Sequence, residues 1–202
     1  MATISSICVY CGAGSGTDPD HMKAATALGT LIAKQGIRLI YGGGTMGMMG
    51  AVSDAVVDNG GKVTGIIPEF LLDMEGSSEE LKRLDEVILT KDMHARKRTM
   101  FERADAFIAL PGGVGTLEEL VEQLTWVQLG RHTKPVLLAN INNFWQPLIE
   151  LISHMKDEAY IRKGFEVEFL NSGNVNEMIP MLQNAANQTH EAAQGIAEVS
   201  KL

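Results

Sequence analysis

Short apolar runs alternate with amphipathic stretches along most of the chain. Apolar runs of this length are typical of strands buried on both faces of a parallel sheet, and apolar residues spaced three and four apart are typical of helices. The runs predict strands at Ser6–Cys11, Arg38–Tyr41, Lys62–Ile67, Glu86–Thr90, Ala106–Leu110, Pro135–Asn140 and, with a weaker pattern, Val167–Leu170. The amphipathic stretches predict helices at Pro19–Gln35, Met46–Asn59, Met93–Arg103, Thr116–Leu129, Phe144–Lys156 and Val175–Asn187.

This alternation predicts the fold class. Strand, helix and parallel strand connect in a right-handed sense, which places helices on both faces of the sheet. We therefore predict a single α/β domain over residues 1–187, with a Rossmann-like, doubly wound parallel sheet. Ligands of such folds bind beyond the carboxyl ends of the strands, so the glycine-rich turns after the first, second and fifth strands should meet at one edge.

Two segments depart from the alternation. Residues 68–85 contain an acidic, turn-rich run, which predicts an exposed excursion over the ligand-binding edge and a candidate lid. Residues 188–202 are rich in alanine and weakly patterned. We predict a frayed helix or a disordered tail there and assign it no function.

Composition and charge limit the classes of partner. The 202 residues suit one large domain, and 45% apolar with 21% charged residues are ordinary for a globular protein. The net charge of −8 argues against nucleic acids and anionic membranes, which it would repel, but not against a small phosphate-bearing ligand. No apolar run approaches the length of a membrane span and the N-terminus lacks a signal pattern, so we expect a soluble, cytoplasmic protein.

Cys8 and Cys11 have the spacing of a redox or metal-binding pair. Both lie in the first predicted strand, where an odd spacing points the two thiols to opposite faces of the sheet. There is no second cysteine pair to complete a zinc site, and no cluster of His, Asp or Glu has the spacing of metal ligands. We therefore predict two structural thiols, no metal and no redox cofactor.

The segment from Pro111 to Glu119 combines a phosphate-binding turn with carboxylates. A glycine-rich turn between a strand and a helix exposes N–H groups at the positive end of the helix dipole, and together these bind a phosphate. Glu118 and Glu119 follow in the first turn of the predicted helix, where the dipole favours acids. Acids are nevertheless misplaced if anion binding is the only task. They are explained if the turn holds a phosphorylated substrate and one carboxylate acts on a neighbouring bond.

Two motifs resemble those of a known family. The pattern Pro-Gly-Gly-x-Gly-Thr-x-x-Glu is similar to the signature of the Lonely guy family of nucleotide phosphoribohydrolases, and here it comprises Pro111, Gly112, Gly113, Gly115, Thr116 and Glu119. Upstream, the run from Met93 to Lys97 is similar to the family's Met-His-x-Arg-Lys. The glycine-rich turns near Gly14 and Gly43 also fit, so the resemblance extends over about residues 5–185.

The resemblance implies hydrolysis of the N-glycosidic bond of a purine nucleoside 5′-monophosphate, either AMP or a cytokinin nucleotide with a modified N6 position. The products would be the free base and ribose 5-phosphate. The resemblance also implies a homodimer, with Met-rich and apolar helical faces as its interface, and a reaction without a cofactor. The residues themselves leave the preferred base open.

Family positions imply roles for individual residues. Glu119 would stabilise positive charge at the reacting ribose carbon and take a proton from the attacking water, and Arg96 would bridge phosphate or ribose and orient Glu119. The backbone donors for the phosphate would be Gly113, Val114, Gly115 and Thr116. The further substrate contacts implied are Lys97, Thr125, Glu75, Ser15, Gly43 and Met93.

Arg96 and Lys97 have a second interpretation. Basic residues in the first turns of a helix oppose its dipole, which favours an anion nearby. The alternative is a solvated basic face that continues through Arg98 and Arg103. Glu118 also competes with Glu119, and since the two lie about 100° apart around a helix only one faces the turn. The register of the family motif selects Glu119.

Three of the residues implied as substrate contacts also have a purely structural interpretation. The hydroxyl of Thr125 would donate to a carbonyl of its own helix. Met93 would be a core residue. Ser15 would belong to a turn that leads to a helix capped by Thr17 or Asp18.

The turn Gly42–Gly47 matches the dinucleotide fingerprint Gly-x-Gly-x-x-Gly, and Glu69 follows about twenty residues later. The usual place of the fingerprint is the first strand-to-helix turn, whereas this turn follows the second predicted strand. We interpret it, with Gly43, as part of a mononucleotide site assembled from several turns. The alternatives are an NAD-type oxidoreductase and a nucleotide-binding protein without catalysis.

Overall fold

The structure is a computed structural model that describes residues 3–72 and 78–199. Its strands are β1 (Ser6–Tyr10), β2 (Arg38–Tyr41), β3 (Lys62–Pro68), β4 (Glu86–Thr90), β5 (Ala106–Ala109), β6 (Val136–Ala139) and β7 (Leu170–Ser172). Its α-helices are α1 (Pro19–Lys34), α2 (Gly47–Asp58), α3 (Ser78–Leu81), α4 (Met93–Arg103), α5 (Val114–Gln128), α6 (Gln146–Asp157) and α7 (Val175–Val199).

The strands form one seven-stranded sheet in the order β4-β3-β2-β1-β5-β6-β7. Every neighbouring pair is parallel. The chain moves outward from the central β1 to β4 and then returns to β5 on the other side of β1. This reversal confirms the predicted doubly wound α/β fold. It also opens a crevice between β1 and β5 at the carboxyl edge, because the loops that leave these two strands diverge to opposite faces.

Two apolar layers cover the sheet. One contains residues of α1, α2 and α7, and the other residues of α4 and α5 with Trp145. Cys11 lies in the first layer and Cys8 in the second, and both thiols are free and buried. The opposite placement of the two cysteines, predicted from their odd spacing, is confirmed.

The elements differ from the predicted ones mainly at their ends. The weakly patterned last strand begins at Leu170 instead of Val167, and the last helix continues to Val199. Helix α5 begins at Val114, two residues before the predicted Thr116. The apolar pattern did not indicate this start because the side chain of Val114 is 83% exposed and contributes nothing to the buried face.

The predicted excursion over residues 68–85 contains a 3₁₀ turn, Glu69–Leu71, and the short helix α3. Its residues 73–77 lie outside the described part of the chain. In the described ranges, no helix combines the length and the apolar composition needed to cross a membrane.

Candidate active site

A cleft of about 320 Å³ opens at the carboxyl edge of the sheet. Turns that follow β1, β2 and β5 reach it together with helices α2, α4 and α5, so the predicted convergence of the glycine-rich turns is observed. The cleft is lined by Val9, Tyr10, Cys11, Gly12, Ala13, Gly42, Met49, Leu71, Met93, Arg96, Met100, Gly113, Gly115, Thr116, Glu118 and Glu119.

The turns after β1 and β5 touch each other at the floor of this cleft. The amide of Gly12 donates to the carbonyl oxygen of Pro111 at 3.1 Å. A Cβ atom on Gly112 would lie 2.2 Å from Oγ1 of Thr116 and 2.9 Å from the amide nitrogen of Gly12, so only glycine permits this approach. Gly113 is the N-cap of α5 and supplies no side-chain acceptor. The first N–H groups of α5 are therefore available to an anion.

Glu119 brings a carboxylate into the cleft. Because α5 begins at Val114, Glu118 and Glu119 lie in the second turn, and the prediction that they occupy the first turn is wrong. The helix dipole does not account for acids so far from the helix end, since its effect is confined to the first turn. Glu119 is only 9% exposed. Burial raises the pKa of the neighbouring Cys11 thiol, and the negative charge of Glu119 raises it further.

Arg96 is the buried cation of the cleft. Its helix, α4, is capped by Asp92, whose carboxylate accepts from the amide of Ala95 at 2.7 Å. Nη2 of Arg96 donates to the carbonyl of Gly42 at 3.1 Å, and Nη1 lies 3.8 Å from Sδ of Met93. Nε is buried and has no hydrogen-bond partner among the described residues. A guanidinium held in this way, with an unused donor, suits an anionic ligand.

The alternative of a solvated basic face does not apply to Arg96. Arg98 and Arg103 are exposed, and Arg103 pairs with Glu86 at 3.2 Å. Arg96 is only 6% exposed and points away from that face.

Lys97 does not line the cleft. Its Nζ contacts Oε1 of Glu118, and it lies 3.1 Å from Oε1 of Glu122. Burial lowers the pKa of Lys97, but the hydrogen bonds to Glu118 and Glu122 outweigh it, so the pKa lies above its ordinary value. The substrate contact predicted for Lys97 is thus replaced in this structure by an ionic tie between α4 and α5.

Four of the other residues predicted to contact substrate line the cleft, and two more, Gly43 and Val114, do not. Met93, Gly113, Gly115 and Thr116 line the cleft. Gly43 lies beside the cleft-lining Gly42, in the turn after β2, and the exposed side chain of Val114 lies outside the lining.

Ser15 and Thr125 are not among the described residues that line the cleft. Ser15 is exposed in the turn before α1. Asp18 is the N-cap of that helix, which was one of the two predicted caps, Thr17 and Asp18. Thr125 is exposed and its hydroxyl donates to the carbonyl of Val121 at 2.8 Å, which is its structural alternative. Glu75 lies outside the described residues.

Sequence reasoning missed the apolar wall of the cleft. Met49, Leu71 and Met100 line it beside Met93. Their spacing within helices and turns is that of core residues, so nothing in the sequence distinguished them from the core. Gly12 and Ala13 belong to the glycine-rich turn that was predicted to reach this edge, but neither was named as a site residue.

Comparisons with known proteins accord with this geometry. A family model described as "possible lysine decarboxylase" matches residues 49–191. Cytokinin riboside 5′-monophosphate phosphoribohydrolase LOG7 of Arabidopsis thaliana is 44% identical over 177 residues, which cover 88% of this chain and 80% of that protein. The rice protein of the same name, LOG, is 43% identical over 177 residues, with 88% and 72% covered.

The chain belongs to the Lonely guy family. The membership predicted from two sequence motifs is thereby confirmed. The decarboxylase description does not fit the cleft, since a pyridoxal phosphate enzyme needs a lysine for its Schiff base. No lysine is among the described residues that line the cleft.

Solved structures confirm the fold of this Lonely guy protein. The molybdenum cofactor binding protein of Rippkaea orientalis has a TM-score of 0.67 at 26% identity and covers 91% of this chain and 98% of its own. The molybdenum cofactor carrier protein of Chlamydomonas reinhardtii has a TM-score of 0.65 at 23% identity, with 91% and 98% covered. The second likeness is one of fold alone.

Replacing Lys97 tests the tie between α4 and α5. We expect Lys97→Met to lower the free energy of unfolding by about 1–3 kcal/mol, because it leaves the carboxylate of Glu122, which is only 24% exposed, without its cation. Urea unfolding measures the change. Lys23→Met is the control, because the Lys23–Asp20 pair is exposed (74% and 50%) and pairs of that kind contribute about 0–1 kcal/mol. Equal losses in the two variants would contradict the structural role of Lys97.

Proposed function

We propose that this protein hydrolyses the N-glycosidic bond of a purine nucleoside 5′-monophosphate and releases the free base and ribose 5-phosphate. The observation that carries the proposal is one cleft that combines a buried carboxylate, Glu119, a buried guanidinium, Arg96, and the uncapped start of α5. The names of the curated relatives support the same reaction class.

The phosphate end of the substrate is assigned to the start of α5. The amides from Gly113 to Thr116 present backbone donors at the positive end of the helix dipole. Arg96 adds a fixed positive charge to the lining of the same cleft. Because the chain has a net charge of −8, this local arrangement must overcome the repulsion that the whole molecule exerts on an anion.

Bond cleavage is assigned to Glu119. As the bond between ribose C1′ and the base nitrogen breaks, its electron pair leaves with the base and C1′ acquires the character of an oxocarbenium ion. A carboxylate withdrawn from water stabilises that positive charge more strongly than an exposed one does. Water then adds to C1′, Glu119 accepts its proton, and that proton replaces the ribosyl group on the departing base.

The base is assigned to the apolar wall formed by Met49, Leu71, Met93 and Met100. Thioether side chains are polarisable and pack against aromatic rings, which suits a flat purine. The same wall accommodates an apolar N6 substituent without an unpaired polar group, so we propose adenine nucleotides, with or without such a substituent, as the substrate class.

A homodimer is the proposed assembly. Val114 and Val121 of α5 and its C-cap Leu129 are 83%, 41% and 60% exposed, and Thr125 is exposed between Val121 and Leu129. Their spacing puts them on one side of the helix, which leaves an apolar stripe facing outward. A second copy seated on this stripe would bury it together with Thr125.

Glu119→Gln preserves the shape of the side chain and removes its charge. We expect the rate of base release to fall by about 10²-fold or more, because a charge-stabilising contact of the transition state is lost. Nucleotide binding should persist, as measured by calorimetry. Glu118 is unsuitable as a control because it lines the cleft and pairs with Lys97, so exposed Glu102→Gln on α4 serves instead. Near-normal turnover in Glu119→Gln would refute the mechanism.

Removing the phosphate from the substrate tests the start of α5. AMP should be cleaved with a kcat/KM about 10³-fold or more above that of adenosine, since charge-assisted contacts contribute roughly 1.5–3 kcal/mol each and two or three are lost. Steady-state kinetics with both compounds measures the ratio. Comparable values would argue against the assignment of the phosphate to Gly113–Thr116 and Arg96.

Charging the exposed stripe tests the dimer. Val121→Asp should raise the dissociation constant by about 10²-fold or more, because an unpaired carboxylate would be buried at the interface. Sedimentation equilibrium measures the constant, and circular dichroism checks that the fold is kept. Leu151→Asp on α6 is the control, since Leu151 is 47% exposed and lies outside the stripe. A native protein that sediments as a monomer would exclude this interface.

A further inference from the structure

The turn Gly42–Gly47 has no role in the function proposed above, although it matches a dinucleotide fingerprint. In that fingerprint, glycines let the backbone approach a pyrophosphate closely. Here the space over the turn is occupied by side chains of the protein itself. At each of the first three glycines of the turn, a different structural requirement explains why the residue is glycine.

Gly43 is required by the backbone. Its φ of +78° lies in the left-handed region, where residues with a Cβ atom are strained. The φ angles of Gly42 and Gly44 are outside that region, so the backbone at these two positions admits other residues.

Gly42 is required by the Arg96 guanidinium. A Cβ atom on Gly42 would lie 2.0 Å from Nη2 and 3.1 Å from Cζ of Arg96. The carbonyl of the same glycine accepts a hydrogen bond from Nη2 at 3.1 Å. Arg96 therefore occupies the place where a side chain at position 42 would begin.

Gly44 makes room for a second side chain in the same way. A Cβ atom there would lie 2.5 Å from Cε and 3.0 Å from Sδ of Met49. Both Met49 and Arg96 line the cleft, so the two glycines shape its wall from behind.

We propose that Gly42 is a positioning residue: its missing side chain and its carbonyl form a seat that orients the Arg96 guanidinium in the cleft. Nη2 is bound to this seat, Nη1 faces the sulfur of Met93, and Nε is buried without a hydrogen-bond partner among the described residues. The first glycine of the Gly-x-Gly pattern in this chain therefore leaves room for an arginine side chain. The same filling by Arg96 and Met49 prevents a pyrophosphate from reaching the turn. The seat is independent of the reaction, whereas its effect on catalysis rests on the proposed function.

The variant Gly42→Ala tests the seat. Its methyl group meets the far end of a flexible side chain, so Arg96 should move while the fold is retained and the melting temperature changes little. Since a misplacement of 1 Å costs about 10²-fold in rate, we expect kcat/KM for AMP to fall by about that factor. The ¹⁵N NMR signal of the Arg96 Nε–H group should shift in ligand-free Gly42→Ala. Its assignment comes from its loss in Arg96→Lys.

A double-mutant cycle shows whether Gly42→Ala acts through Arg96 or through a general defect of the protein. Lysine has no atom in the place of Nη2, which the new methyl group would meet at 2.0 Å, so Gly42→Ala should have a much smaller additional effect in the Arg96→Lys background. Calorimetric binding of AMP to all four proteins provides the same cycle where turnover is too slow to measure.

The outcomes distinguish the seat from the proposed function. Equal losses in both backgrounds, or an unshifted Nε–H signal with unchanged kcat/KM, would overturn the seat. A shifted signal in Gly42→Ala, together with a native protein that cleaves no nucleoside monophosphate, would support the seat and refute the proposed function.

Discussion

Burial of the Arg96 guanidinium is the constraint on which the rest of the cleft depends. A charge withdrawn from water is costly unless hydrogen bonds or opposite charges compensate it. In this fold part of the compensation comes from the backbone carbonyl of Gly42 and the sulfur of Met93. The positive charge of this guanidinium gives the cleft an affinity for anions that the overall charge of the protein opposes.

The position of Arg96 is set by two helices that start at the same edge of the sheet. Helix α4 follows β4 and α5 follows β5, and the next cation along α4, Lys97, joins them through Glu118 and Glu122. Lys97 itself is not among the described residues that line the cleft. The two adjacent cations therefore have different roles. Arg96 lines the cleft, and Lys97 joins helices α4 and α5.

The likeness to molybdenum cofactor proteins is a likeness of fold. A doubly wound sheet places helix starts at one edge, and such an edge suits phosphate-bearing ligands in general. Function depends on the side chains grafted onto that edge. Here these are a withdrawn carboxylate at Glu119 and a methionine-rich wall, which fit bond cleavage next to a bound base.

Most of the fold was predictable from the sequence because it follows from local periodicity. The bounds of β2, β4 and α4 agree with the predicted ones, since each element carries its own apolar pattern and its own turn residues. The opposite faces of Cys8 and Cys11 follow from the two-residue period of a strand. The family motifs also indicated Arg96, Glu119 and the start of α5 as one site.

What the sequence by itself determined was therefore the succession of elements, the fold class and the residue types gathered at the ligand-binding edge. Only the tertiary structure decided which partners meet there. The pairing of Lys97 with Glu118 and Glu122 and the seating of Arg96 on Gly42 join residues far apart in the chain. Periodicity reports whether a side chain is buried, whereas the choice of a polar partner depends on strand order and on how closely two turns approach.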